Sequence, residues 1–295
     1  MFGLTKSITW NILRRNAKFW SCLAVIISVI GLATVGPYLT PYKPLEYTSP
    51  KLPPLTPGHI FGTDNLGYDV FSATVYGLRV SLSVGLIAAV VATTIGTVLG
   101  LIAGYKGGIA DSVIDGFAIL ILTMPSAFIL IILGTFYIRA DMGVAGGWRE
   151  IMNIVFLGSM IGLLMWHWTA RAVRSQVAAL KVSDYVAVSR LSGNSDLKII
   201  VKDILPNIAS YIALVFVIQL ANGLLTAVTL EFLGIKASEW SLFARIMQWL
   251  QMGALTAHVW WAWLIPGGTL VAFIASLYLV VLSLEEVFNP RLRRI

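Results

Sequence analysis

The stretch SDYVAVSRLSGNSDLKIIVKDILPN, residues 183–207, is polar and charged in a chain that is otherwise strongly apolar. The 295-residue chain is 58% hydrophobic and 12% charged, with a mean hydropathy of +0.84. Soluble domains carry about 25% charged residues, so this composition indicates a polytopic membrane protein. The question is what function a polar segment that does not cross the bilayer has in such a protein.

The apolar runs are long enough to cross a bilayer, which takes about 20 mostly apolar residues per helix. We predict an all-α polytopic membrane protein with six transmembrane helices at residues 19–41, 79–104, 113–138, 153–173, 208–234 and 262–284. The first run is longer than the apolar core of a signal peptide and no A-x-A site follows it, so we interpret it as a retained helix.

The basic residues predict the orientation, because Lys and Arg concentrate in cytoplasmic loops. With both termini in the cytoplasm, 14 of the 21 Lys and Arg residues lie on that side, together with the polar stretch. We therefore expect a multi-pass protein of the cell (inner or cytoplasmic) membrane with cytoplasmic N- and C-termini. The net charge of +7 follows from this topology, in a chain whose expected partners include membrane lipid. The Lys and Arg residues are spread over the loops without the clustering on one face that a nucleic-acid partner would require.

Residues 37–62, PYLTPYKPLEYTSPKLPPLTPGHIFG, hold seven of the eleven prolines. Proline lacks a backbone N–H and fixes φ, so we expect an extended or turning segment on the external side. Two interpretations stay open: a spacer after the first span, or a surface that meets an external partner.

Local patterns predict a helix and a glycine turn at the start of the polar stretch. Ser183 suits the N-cap of a helix on which Tyr185, Val188 and Leu191 recur every third residue as an apolar stripe. Gly193 follows where a left-handed C-terminal cap is expected. Pattern alone leaves open an interfacial helix on lipid headgroups and a docking element for another protein.

A second short helix is predicted after the glycine, capped by Asn194 or Ser195. Its expected apolar face comprises Leu197, Ile200, Val201 and Ile204. Pro206 fits the first turn of the membrane helix that follows.

The polar stretch resembles the cytoplasmic signature of ABC-importer permeases, in the form E-Y-V-x-A-A-R-x-L-G…L-P-N of the dipeptide/oligopeptide/nickel permease family. The corresponding residues are Asp184-Tyr185-Val186, Val188-Ser189-Arg190, Gly193 and Leu205-Pro206-Asn207. The departures are Asp184 for Glu, Val188 and Ser189 for two alanines, Ser192 for the Leu before the glycine, and Asp203 for Ile.

Other segments resemble the same family, in the expected order, along nearly the whole chain. They are ILRRNAKFWSCLAVI (12–26), HIFGTDNLGYDVFSATVYGLRVSL (59–82), TMPSAFILIIL (123–133), EFLGI (231–235), WWAWLIPGG (260–268) and NPRLR (289–293). The first is similar to the extension of the second permease subunit type. The resemblance implies a type I importer fold with an extension at 1–78, a core of five helices at 79–295 and a coupling loop at 174–207. The extension would hold the first transmembrane helix and the Pro-rich external segment.

The resemblance also implies partners. A homologous permease would form a heterodimer with this chain, two ATPase subunits would bind ATP and Mg²⁺, and an extracellular or periplasmic solute-binding protein would deliver the solute. A coupling helix in the loop would sit in a groove of an ATPase subunit. The implied ATPase-coupling residues are Asp184, Tyr185, Val188, Ser189, Leu191, Gly193, Leu205 and Pro206.

The chain has no G-x-x-x-x-G-K-[ST] segment and no nucleophile-elbow, zincin or paired-carboxylate signature. We therefore expect a translocation subunit that is not itself an enzyme and holds no cofactor, with ATP hydrolysis in separate subunits.

The resemblance implies import of short peptides, or of oligosaccharides, which some members of the family carry. A cluster of tryptophans on the predicted external side fits an aromatic belt or stacking against sugar rings; it comprises Trp240, Trp249, Trp260, Trp261 and Trp263. A gradient-driven secondary transporter is a more distant alternative, and it should show ionisable residues in mid-span.

Three polar residues in the fifth span, Gln219, Asn222 and Glu231, are candidates for the pathway or its gate, with helix-to-helix hydrogen bonding as the alternative. Asp115 is expected at headgroup level or at a helix cap. Asp64 and Asp69 are expected to fix turns, since their spacing lacks the later Glu of a calcium loop. We expect no metal site.

Overall fold

The computed structural model describes residues 14, 16–43, 46–139, 147–255 and 257–288, so the predicted NPRLR motif lies outside the described residues. The helices are α1 (Ala17–Leu39), α2 (Val70–Lys106), α3 (Gly108–Thr123), α4 (Ser126–Arg139), α5 (Gly147–Lys181), α6 (Asp184–Leu191), α7 (Asp196–Ile199), α8 (Leu205–Phe232), α9 (Leu242–Gln251) and α10 (Trp260–Phe288). A π-helical turn, Ile200–Ile204, joins α7 to α8. Pairing between extended segments is limited, in these ranges, to three isolated bridges, which confirms the all-α class.

Five helical runs are long and apolar enough to cross a membrane: those of α1, α2, α5 and α10, and the continuous run Asp196–Phe232. α2 has 37 residues and α5 has 35. At 1.5 Å per residue each exceeds the roughly 30 Å hydrocarbon core, so both helices project beyond it. The predicted boundary between residues 78 and 79 lies within α2.

The third predicted span, at 113–138, is not one straight helix but a bent pair. Gly108–Thr123 and Phe128–Thr135 meet at an angle of 82°, and they count as a sixth span only if the bent pair is taken together. Pro125 explains the break, because the residue before a proline is driven out of the helical region. Met124 accordingly adopts φ −81° and ψ 133°.

The described residues divide into two compact units. In the unit Met1–Val84 with Ala227–Ile295, α1 packs against α10, and Gly36 of α1 lies so close to Val75 that a Cβ there would be 2.5 Å from a valine methyl. Residues 46–69 form turns and bridges with no helix. The expected non-helical segment is thus confirmed there, although α1 continues through Pro37 to Leu39.

In the unit Gly85–Thr226, three glycines spaced four apart let α2 approach α5 closely. A Cβ at Gly96, Gly100 or Gly104 would lie 2.4–2.8 Å from the Cβ of Thr169, Val173 or Val177 respectively. Small residues at this spacing are how membrane helices bring their backbones together. The sequence GTVLGLIAG carries this signal, although the prediction of spans by hydropathy did not use it.

The expected apolar face of the second short helix is correct only in part: Ile200 and Ile204 pack inward, and Leu197 and Val201 do not. Ile199 and Ile204 are buried, whereas Leu197 and Val201 are exposed. The cause is the π-helical turn, which shifts the 3.6-residue periodicity before Pro206. A proline inside a helix removes a hydrogen bond and crowds the carbonyl four residues earlier, and a π turn provides the extra space.

Candidate functional site

The polar loop, defined as residues 174–207, begins in the last turns of α5. α5 ends at Lys181 and α6 starts at Asp184. Ser183 occupies the predicted N-cap with extended dihedrals, φ −74° and ψ 150°. Its carbonyl accepts from the Val186 and Ala187 N–H groups, while its hydroxyl donates to the Leu180 carbonyl at 2.6 Å. The helix start is confirmed, but the hydroxyl ties α6 back to α5 and does not cap the new helix.

Gly193 adopts the predicted left-handed conformation, with φ +76°. The Gly193 N–H donates to the Arg190 carbonyl at 3.0 Å and the Asn194 N–H to the Ser189 carbonyl at 3.3 Å. These two bonds form the Schellman arrangement that ends a helix at a left-handed residue. The helix–turn–helix therefore has one defined geometry.

One side of the polar loop is buried against the ends of three long helices, α2, α5 and α8. Val186, Ile199 and Ile204 have no more than trace exposure and form one apolar cluster. The cluster is completed by residues of α2, α5 and α8: Leu101, Tyr105, Val173, Val177 and Ile208. Burial on this scale fixes the loop to the helices beneath it.

The other side of α6 is uncovered. Tyr185, Val188 and Leu191 are 42%, 61% and 88% exposed, as expected for the stripe predicted from their spacing. Val182 and Leu197, at either end of the helix–turn–helix, are exposed as well. An exposed cluster of large apolar side chains on a polar element is typical of a protein interaction site.

A chain of hydrogen bonds connects α6 to the π-helical turn. The Ser189 hydroxyl donates to Asp203 Oδ2 at 2.6 Å and accepts from Asn194 Nδ2 at 2.9 Å. Lys198 Nζ donates to Asn194 Oδ1 at 2.6 Å. Leu205 and Pro206 lie at the start of α8, where Asn207 Nδ2 donates to the Asp203 carbonyl at 2.6 Å. Together with Asp184 in the first turn of α6, these contacts place all eight predicted coupling residues in one small region.

Two ion pairs that the sequence did not predict join α3 to α5. Arg171 Nε lies 3.0 Å from Asp115 Oδ1, and Arg174 Nη2 donates to Asp111 Oδ2 at 2.6 Å. Asp115 is therefore paired, and it lies inside α3 and not at a helix cap; its expected position at headgroup level stays a prediction. The signal was present in the spacing: acids four apart on α3 face arginines three apart on α5.

The pathway candidates occupy different environments. Gln219 is buried in α8, where its Nε2 donates to Thr169 Oγ1 at 2.8 Å and to the Met165 carbonyl at 3.0 Å. Asn222 is partly buried one turn later. Glu231 is buried, with 6% exposure. The Gln219 contacts match the helix-to-helix alternative, and a pathway role for the three stays a prediction.

Asp64 and Asp69 fix turns, as expected. Asp64 Oδ1 accepts from the Leu66 and Tyr68 N–H groups at 2.8 Å each, and Asp69 accepts from the N–H and hydroxyl of Ser72 at the start of α2. Burial raises the pKa of Asp64, and these N–H donors together with an indole N–H oppose the rise.

The aromatic-belt prediction is wrong for Trp249, which is 1% exposed and donates its indole N–H to Asp64 Oδ2 at 2.7 Å. Trp261 likewise donates to the Thr63 carbonyl at 2.9 Å. These indoles hold turns in place. Within the described ranges no three His, Cys, Asp or Glu residues are grouped as a metal site would require.

Several apolar helices, two of them joined by a polar helix–turn–helix with an uncovered apolar face, define a multi-pass membrane protein. Residues 96–294 match the family of binding-protein-dependent transport system inner membrane components. The chain belongs to this family: it is an ABC-importer permease subunit with the type I transmembrane fold, as its sequence resemblance indicated.

Similarity to other permeases extends beyond the residues of the family match and covers nearly the whole chain. A putative peptide transport system permease protein of Brucella abortus is 30% identical over 293 residues, covering 97% of this chain and 92% of the relative. The dipeptide transport system permease protein DppC of Bacillus subtilis is 31% identical over 298 residues, covering 97% and 85%. A second B. abortus protein, a putative peptide permease, is 29% identical over 275 residues, covering 91% and 85%.

Proposed function

We propose that this chain is one of two permease subunits in an ATP-driven importer of short peptides, and that its polar loop docks on an ATPase subunit. The observation that carries the proposal is the uncovered apolar stripe Tyr185, Val188 and Leu191 on α6, whose opposite side is buried against the long helices. A flexible loop would deform when an ATPase subunit moved it, whereas this loop is packed against α2, α5 and α8.

The polar loop is connected to two long helices. Only Val182 and Ser183 separate α5 from α6, and the run from Asp196 to Phe232 is continuous. When two ATPase subunits close on ATP and Mg²⁺, a docked loop would move α5 and the run Asp196–Phe232 with it. The pathway shared with a homologous permease would then open to the other side of the membrane. Such motion is a switch between packed states that nucleotide binding favours unequally.

The location follows from the same proposal. ATPase subunits work in the cytoplasm, so the polar loop and both termini lie there, and the chain lies in the cytoplasmic membrane. The Lys and Arg distribution supports this orientation. An external solute-binding protein delivers the solute on the opposite side.

Short peptides are the favoured solute, because the relatives named above are peptide and dipeptide permeases. Oligosaccharides are less well supported, since Trp249 and Trp261, which suggested sugar stacking, use their indole N–H groups to hold turns.

The test is uptake by proteoliposomes containing this chain, its sister permease and both ATPases, with the solute-binding protein outside and ATP inside. Radiolabelled tri-alanine is the probe. We expect accumulation only with ATP and the binding protein, and none in vesicles whose ATPases cannot hydrolyse ATP. Accumulation driven by an ion gradient, with this chain alone, would contradict the proposal.

A further inference from the structure

Tyr105, near the end of α2, contacts both helices of the helix–turn–helix although α2 is not adjacent to the polar loop in sequence. Its hydroxyl donates to Asp196 Oδ1 of α7 at 2.9 Å and accepts from Arg190 Nη2 of α6 at 3.4 Å. The partners are 91 and 85 positions away in sequence. One hydroxyl thus joins α6, α7 and α2.

The environment of Tyr105 gives this hydroxyl a fixed position. The side chain is 3% exposed within the apolar cluster under the loop. Its ring also faces two cations, Lys181 Nζ and the Arg190 guanidinium, each 5.8 Å from the ring centroid, a distance at which cation–π attraction is significant. A buried tyrosine hydroxyl without a partner is costly, so the ring's packing and the hydroxyl's bonds require the same loop orientation.

α2 is a firm support for this contact. Gly96, Gly100 and Gly104 bring α2 against α5 at distances that leave no room for a Cβ. The end of α2 therefore keeps its position against the end of α5, and Tyr105 ties the loop to both helices.

We propose that Tyr105 is a positioning residue for coupling: its hydroxyl sets the angle of the helix–turn–helix, so that a stroke received by the loop also moves α2. This inference rests on the proposed function of the loop. Without the hydroxyl, part of each stroke would rotate the loop about its own connections, and ATP would be hydrolysed with less solute moved.

The test is Tyr105→Phe in the reconstituted four-subunit complex, which removes one oxygen and keeps the buried ring. We expect the ratio of tri-alanine imported to ATP hydrolysed to fall about three- to tenfold, the range that one net hydrogen bond sustains, with an ATPase rate near that of the wild type. The matched control is Tyr76→Phe in the same helix, whose hydroxyl lies 3.5 Å from the Pro37 carbonyl, and it should keep the ratio. A purely structural role would lower the melting temperature and leave the ratio unchanged.

Asp196, which accepts the hydrogen bond of Tyr105, provides a second and independent test. Asp196→Asn retains an oxygen that accepts the hydroxyl and should keep the ratio, whereas Asp196→Ala should lower it as Tyr105→Phe does. The double variant Tyr105→Phe/Asp196→Ala should be no worse than either single variant, because both remove one interaction. This second test decides the outcome if Tyr105→Phe fails to assemble.

Failure of the inference on Tyr105 can be distinguished from failure of the proposed function. If the wild-type complex imports tri-alanine with ATP but Tyr105→Phe and Asp196→Ala keep its ratio, or add their losses, the inference on Tyr105 is overturned and the proposed function stands. If the wild-type complex accumulates no solute with ATP under any arrangement of subunits, the proposed function falls and the inference with it.

Discussion

The Ser189 hydroxyl donates a 2.6 Å hydrogen bond to Asp203. These are two of the positions at which the chain departs from the permease signature, which has alanine and isoleucine there. The departures form a pair: a hydroxyl on α6 meets a carboxylate on the π-helical turn, and a polar contact stands where the signature has apolar residues.

This pairing predicts non-additive stability changes. Ser189→Ala and Asp203→Ile should each lower the free energy of unfolding by about 1 kcal/mol, the typical net contribution of one hydrogen bond to stability. The double variant should lose less than the sum, because it restores the apolar pair of the signature. Denaturation of the detergent-purified chain measures all three, and strictly additive losses would show that the two side chains do not interact.

The uncovered stripe predicts that Tyr185→Asp weakens docking to the ATPase without destabilising the chain. An anchor residue at an interface is worth about 2 kcal/mol or more, or roughly thirtyfold in affinity, whereas exposed substitutions change folding stability little. Copurification of the ATPase and the melting temperature are the two measurements. Leu55→Asp, at a side chain 84% exposed in the Pro-rich segment, is the control and should keep the ATPase. Equal copurification by both variants would exclude docking through this stripe.

The left-handed turn predicts a graded response at Gly193. No atom lies within 4 Å of a Cβ placed there, so any cost comes from φ +76°. Gly193→Val should cost about 1–2 kcal/mol, while Gly193→Asn should cost less because asparagine tolerates this region. Uptake per ATP should follow the same order. Gly31→Val in α1, where the space is open and φ is ordinary, controls for loss of a glycine. Equal effects of Val and Asn would mean that φ does not matter.

The raised pKa of Asp64 predicts a pH dependence with a definite sign. Because burial favours the neutral carboxyl, the folded chain binds more protons than the unfolded chain between pH 3.8, the ordinary value, and the higher folded-state pKa. The contribution of Asp64 to stability is therefore present below this window and is lost as the pH rises through it.

Asp64→Asn tests this sign, since it keeps an acceptor for the Leu66 and Tyr68 N–H groups and cannot ionise. The difference in melting temperature, wild type minus variant, should decrease from about pH 3 to about pH 7. A difference that increases over this range would reverse the assigned sign. Asp64→Ala removes the acceptor and should be the least stable of the three at every pH.

The sequence by itself determined the class of protein, the approximate spans and the helix–glycine turn–helix of the polar loop. Hydropathy is summed over a window, and the stripe Tyr185–Val188–Leu191 and the cap at Gly193 depend on residues within one or two turns. Pro125 also carried its signal locally, and the break it causes was missed because the flanking hydropathy is continuous.

Only the tertiary structure decided which side chains meet. Trp249 and Asp64 are 185 positions apart and Tyr105 and Asp196 are 91 apart. Inside a membrane protein apolar residues cover every helix face, so periodicity does not reveal which face is buried or how helices are aligned along their axes. The face of the second short helix likewise depended on a π turn formed before Pro206. A local pattern such as the glycine repeat of α2 marks a face that approaches another helix, but the packing of the helices against one another decides which side chains meet there.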